Sequence, residues 1–190
     1  AATPLWVTKA MTSPRVTHHV FSSKSAKAEV SYHLYRPAVY EAEGNRRFPV
    51  VYWLHGSGGG LPGIPSVARR FDAAIEAGKL PPCLVVFVNG LEMGMYVDWA
   101  DGSAPVESMI IRDLLPHVDT NYRTIAKREG RLLDGFSMGG YGAARLGFKY
   151  PDLFRSVSIV GAGPMQAELK STPRASRIQA EDLLKRAYGG

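Results

Sequence analysis

The run Gly135-Phe136-Ser137-Met138-Gly139 sets one serine between two glycines, a spacing that suits nucleophilic chemistry. So short a pattern is a weak signal alone, and its setting gives it weight. A strand-like segment, Arg131-Leu132-Leu133-Asp134, leads into it, and a helix-like one begins at Tyr141-Gly142-Ala143-Ala144. Strand, sharp bend, helix is the arrangement that projects a serine hydroxyl from the end of a sheet. Gly135 and Gly139 suit a bend where two backbones approach too closely for side chains. Ser137 would also stand at a helix N-terminus, whose unpaired N–H groups favour negative charge nearby. The plainer alternative is a serine N-cap with glycines that only shape a turn.

A second glycine-rich stretch, His55-Gly56-Ser57-Gly58-Gly59-Gly60, follows the apolar run 48–54. Attack of a serine on an ester carbonyl creates an oxyanion, and each fixed N–H donor facing it removes about 3–4 kcal/mol of barrier. The candidate donors are the amides of Ser57 and of Met138, the residue after the nucleophile. His55, Gly56 and Gly58 are expected to border the substrate, with His55 shaping the loop rather than acting as a base. A phosphate-binding turn or a plain linker is the competing reading. The stretch lacks both the Gly-Lys-Ser/Thr ending of a phosphate loop and the spacing of a dinucleotide fingerprint. Across 91–104, Met93, Met95, Tyr96 and Trp99 follow no clear period. They either form an aromatic and apolar rim or pack beneath a loop.

Such residues need a scaffold that brings 55–60 and 135–140 to one place. Residues 15–21 and 29–36, rich in Val, Tyr and His, predict two antiparallel strands joined by the polar stretch 22–27. The continuous apolar runs 48–54 and 83–88 suit strands covered on both faces. Segments 131–134 and 154–160 read as two more strands. Helices are predicted over 67–77, from Pro105 onward, over 138–150 and over 177–187. In the second of these Val106, Met109, Ile110, Leu114 and Leu115 share a face, with Glu107, Arg112 and Asp113 on the other side. Apolar strands alternating with amphipathic helices define an α/β architecture, a mostly parallel sheet with helices on both faces. Ligands collect beyond the carboxyl ends of such strands, so both glycine stretches should share one rim.

The segments FPVVYWLHGSGG and LLDGFSMGGYGAARLGFKYPDLFRSVSIVGAG, with VES…LLPHVDTNYRT between them, resemble the esterase D-like group of α/β-hydrolases. That group includes feruloyl and acetylxylan esterases, S-formylglutathione hydrolases and mycolyltransferases. The resemblance implies the α/β-hydrolase fold, Ser137 as nucleophile and the Ser57 and Met138 amides as oxyanion hole. It also implies that the loop around Tyr96 and Trp99 lines the acyl or alcohol pocket. The implied reaction is hydrolysis of a small-molecule or carbohydrate-linked carboxylic ester through an acyl-enzyme. Acyl transfer to a sugar or lipid alcohol, or binding without catalysis, would use the same residues. No cofactor or metal is implied. Asp134 departs from the small or apolar residue expected just before the bend.

A serine nucleophile needs a base, and the base an orienting acid. In α/β-hydrolases the order along the chain is serine, acid, histidine. Here His18, His19, His33, His55 and His117 all precede Ser137. The expectation is a single α/β-hydrolase domain over 1–190 that lacks its C-terminal strands, acid and histidine. Completion by another polypeptide, loss of catalysis, and an unusual triad using His55 or His117 are the alternatives.

The lone Cys83 and the lack of a Cys/His cluster at metal spacing exclude disulfide scaffolds and zinc modules. The 23 basic and 17 acidic residues, net +6, are scattered, which marks a solvated surface rather than a nucleic-acid groove. No apolar run approaches the roughly 20 residues of a membrane span. The family and the Ala-rich start lead one to expect a secreted bacterial protein.

Overall fold

The computed structural model describes residues 4–162 and 180–189. Its sheet has six strands in the order β1-β2-β4-β3-β5-β6. Strands β1 (Val16–Ser23) and β2 (Ala28–Tyr35) form an antiparallel hairpin, and β2 pairs antiparallel with β4 (Leu84–Val88). Strands β3 (Val50–Leu54), β4, β5 (Arg131–Phe136) and β6 (Ser156–Val160) run parallel. The helices are α1 (Val39–Ala42), a single turn, α2 (Ile64–Glu76), α3 (Val106–Ser108), α4 (Leu115–Asn121), α5 (Met138–Lys149) and α6 (Ala180–Tyr188).

The apolar runs lie in the middle of the sheet, where both faces are covered. In β4, Leu84, Val86 and Val88 join the larger core, against Met109, Ile110, Leu114 and Leu146 from the helices. Val85 and Phe87 turn to the opposite face and meet Ile64 and Ala68 of α2. One strand thus feeds two cores because successive side chains alternate.

Helix α3 continues through a π-helical segment, Met109–Leu114, into α4. Pro116 explains the widening: it has no N–H to give to the carbonyl four residues back, and its ring crowds that carbonyl. The apolar face predicted for this run is buried as expected. Glu107 is not on the solvent side; it is 4% exposed. Its carboxylate accepts hydrogen bonds from Arg145 Nη2 at 3.0 Å and Tyr150 Oη at 2.6 Å, and from Lys149 Nζ. These partners lie on or just past α5, so a charge read as solvated instead ties two helices together. The final helix spans Ala180–Tyr188, while 177–179 lie outside the described residues. Among the described residues no helix is long and apolar enough to cross a membrane.

Candidate active site

Strand β5 runs to Phe136 and α5 begins at Met138, so Ser137 makes the bend alone. Its backbone sits at φ 55°, ψ −117°, a left-handed setting that costs a non-glycine residue energy and needs firm support. The support is visible. Ser137 N donates to Val160 O at 2.8 Å, and Ser137 O accepts from Tyr141 N at 3.0 Å. A Cβ on Gly135 would fall 2.0 Å from Gly139 O, and one on Gly139 would fall 1.9 Å from Leu54 O. Only glycines allow strand and helix to close on the serine this tightly. Ser137 is partly exposed, and no described residue hydrogen-bonds its hydroxyl.

The other glycine stretch lies against it. A Cβ on Gly56 would stand 3.4 Å from Ser137 Cβ and 3.4 Å from Phe136 Cδ1. Ser57, Gly58 and Gly59 are exposed; the two glycines have φ 89° and 87°, and Gly58 N donates to Glu92 O at 2.9 Å. The Ser57 amide has no acceptor among the described residues. Met138 opens α5, where the first N–H groups have no acceptor within the helix.

His55 is 4% exposed. Its Nε2 accepts from Gly90 N at 3.2 Å, which leaves Nδ1 protonated and donating to Gly56 O at 2.7 Å. Burial holds its pKa below the ordinary value, with the Gly56 carbonyl opposing. A neutral ring with both nitrogens engaged shapes the loop and has no lone pair to offer as a base.

Tyr96 overturns the expectation of a ligand-facing rim. It is fully buried, and its hydroxyl donates to His55 O at 2.9 Å. Gly90 and Gly142 leave room for its ring: a Cβ on either would come within 2.4 Å of it. Tyr96 therefore braces the glycine loop from behind. Trp99 is partly buried; its Nε1 donates to Gly94 O at 3.1 Å, and the Arg186 guanidinium lies 4.5 Å over its ring. With His55, Gly58 and Met93 it borders a cavity of 710 Å³. The return of α6 to this rim had no sequence signal. Arg186 Nε donates to Asp101 Oδ2 at 2.8 Å, and Tyr188 Oη donates to Tyr141 Oη at 3.0 Å.

The remaining histidines stand elsewhere. His18 packs on His33 and His19 on Tyr32, on opposite faces of the hairpin. Their strand, β1, is four places from β5 in the sheet, roughly 19 Å at ordinary strand spacing. His117, on α4, is the other histidine of the unusual-triad alternative. It stacks on Phe21, ring centroids 4.7 Å apart, and its Nε2 lies 3.1 Å from Tyr32 Oη. No group of acidic, His or Cys side chains able to hold a metal occurs among the described residues. Asp134 lies opposite Trp53 and Ser158; nothing in the structure explains a carboxylate there.

A serine on a strand–helix bend, at the carboxyl rim of a mostly parallel sheet, is the arrangement of an α/β-hydrolase. The comparisons agree. Residues 23–173 match the model of the family described as putative esterase, and the chain belongs to that family. An esterase of Mycobacterium tuberculosis is 33% identical over 152 residues, 76% of this chain. The chain spans about a third of that relative, 32% of its length. A ferulic acid esterase structure matches at 26% identity and TM-score 0.65, over 73% of this chain and 56% of that one. An S-formylglutathione hydrolase from Agrobacterium tumefaciens has the same fold, at 20% identity and TM-score 0.68, over 96% of this chain and 68% of that one.

Proposed function

We propose that this chain carries the nucleophile and oxyanion hole of a serine carboxylic-ester hydrolase. The observation that carries the reading is the close approach of Gly56 to Ser137; it supports assigning the oxyanion to the amides of Ser57, the next residue of the loop, and of Met138, the first of α5. Ser137 Oγ adds to the ester carbonyl while its proton passes to a base, and the two amides hold the oxyanion. Collapse breaks the bond to the alcohol, which leaves with a proton from that base. Water then adds to the acyl-enzyme and releases the acid.

None of the five histidines suits the role of base: His55 has both ring nitrogens engaged, and the other four belong to the hairpin, β2 or α4. The reading assigns the base to a histidine from outside this stretch of sequence. The substrate class is a small or carbohydrate-linked ester.

The test is turnover of p-nitrophenyl acetate by the gene product that contains this chain. We expect Ser137→Ala to lower kcat by about 10⁴-fold or more with an unchanged melting temperature. Retained turnover in that variant would refute the reading. A rate that rises with an added acceptor alcohol, with the alkyl ester as product, would identify a transferase instead.

A further inference from the structure

Along the 710 Å³ cavity beside the glycine loop, the buried polar side chains have partners. Both nitrogens of His55 are engaged, and Asn89 Nδ2 donates to Trp6 O at 2.8 Å. The N-terminal strap, residues 4–13, crosses β2 there: Thr8 N donates to Ser31 Oγ at 2.9 Å and Met11 N to His33 Nε2 at 3.0 Å. A second cavity, of 310 Å³, lies under α4 by the amino end of β5 and differs in this respect. Ile111, Leu115, Pro116 and Leu153 give it apolar walls, and Asp119 and Arg131 form a polar end.

At that end two buried polar atoms, Arg131 Nε and Tyr52 Oη, have no hydrogen-bond partner among the described residues. Strand register brings them together. Val50 pairs with Arg131 and Tyr52 with Leu133, so Tyr52 is the diagonal neighbour of Arg131 on one sheet face. That face lies beneath α4, since Val50, Tyr52 and Leu133 share a core with Leu115 and Val118. Asp119 is already engaged: its Oδ2 accepts from Arg131 Nη2 at 2.5 Å and its Oδ1 from Thr124 Oγ1 at 2.6 Å. Burial first, and then the Asp119 charge, raises the Tyr52 pKa, so its hydroxyl keeps its proton. Arg131 Nε can only donate. Both atoms therefore offer a hydrogen to an acceptor, and a buried donor is costly to leave unpaired.

Charge decides what fits. Arg131 and Asp119 cancel as an ion pair, each side chain only 13% exposed. A carboxylate would set a second anion beside Asp119 with one cation to share, and an ammonium would face two donors. An uncharged oxygen costs neither. We propose that this cavity binds a neutral small molecule with one acceptor oxygen and an apolar body, a ketone or ester about the size of a six-membered ring. Its oxygen takes the hydrogens of Arg131 Nε and Tyr52 Oη, and its body lies against the four apolar side chains. Ser137 stands six residues further along the chain, roughly 20 Å at the rise of a strand. The site is thus separate from the nucleophile and independent of the hydrolase reading.

The probe is cyclohexanone, titrated into the nitrogen-15-labelled gene product that contains this chain. The readout is the NMR signal of the Arg131 Nε–H group. We expect a saturable downfield shift of that proton with a Kd of about 1 mM. Cyclohexanecarboxylate should bind at least about tenfold more weakly. Tyr52→Phe should weaken cyclohexanone at least about fivefold with the melting temperature held or raised, because the hydroxyl it removes has no protein partner. Thr120→Trp, at an exposed position bordering the cavity, should abolish the shift. An Arg131 signal that does not move, or a carboxylate that binds as well as the ketone, would overturn the proposal. So would unchanged affinity in Tyr52→Phe with a lowered melting temperature, the result expected if that hydroxyl holds only a structural water. Inhibition of p-nitrophenyl acetate turnover with the Arg131 signal unmoved would put cyclohexanone at Ser137 and also overturn it. A retained shift in a protein that turns over no ester would refute the hydrolase reading and leave this site standing.

Discussion

Ser137 keeps its left-handed backbone because the glycines on either side let Leu54 O and Gly139 O close around it. This much was legible from the spacing of one motif. Tyr96 was not. Its residue type suggested either a rim or packing, and the deciding facts are the missing side chains of Gly90 and Gly142, far apart in sequence and adjacent only when folded. The hydroxyl of Tyr96 is the support of the His55 carbonyl, and His55 in turn fixes Gly56 and Gly90. Removing it should leave a buried acceptor unpaired. Tyr96→Phe is therefore expected to cost about 1–2 kcal/mol in chemical denaturation, and, on the proposed assignment of the loop amide to the transition-state oxyanion, to lower kcat more than it raises KM. A stability loss with kcat unchanged would show that Tyr96 packs without positioning.

Between elements, Glu107 shows where periodicity misleads. Helical spacing put it with Arg112 and Asp113, yet the Arg145, Lys149 and Tyr150 groups of another element draw it inward. Arg145 and Lys149 four residues apart were the available signal, but nothing local said which helix they would face. Burial pushes the Glu107 carboxyl up, but hydrogen bonds from Lys149 and Tyr150 and the Arg145 charge outweigh it, leaving its pKa below 4.5. A carboxyl depressed in the folded state stabilises above its unfolded pKa and loses that contribution as pH falls through the folded one. Glu107→Gln should cost about 2–3 kcal/mol at pH 7, with the gap from the parent narrowing below pH 4.5 in denaturation series.

His33 titrates with the same sign. Burial, then the charges of His18 and His19, bring it down to about 4. The unfolded chain takes up the proton first, so stability drops as pH falls from 6.5 toward 4. Because neutral Nε2 holds Met11 N, the hydrogen-exchange protection of the Met11 amide should fall across the same window. Constant protection there would separate the strap from this histidine.

Over the whole molecule, the sheet order puts β3 beside β5, and that adjacency makes a site from residues about 80 apart in sequence. Alternation of apolar strands and helices was enough to foresee a parallel sheet and a shared rim. The cavity beside the glycine loop, the strap across β2 and the docking of α6 on Asp101 were not foreseeable, since each depends on contacts between segments far apart in sequence. The central claim is that the strained serine beside the glycine loop is an activated nucleophile. Treatment of the intact gene product with a fluorophosphonate, followed by peptide mass mapping, tests it most directly. The account predicts one covalent adduct, on Ser137, formed by the folded protein and abolished by denaturation. A folded protein whose Ser137 stays unmodified, or whose adduct maps to another residue, would contradict it.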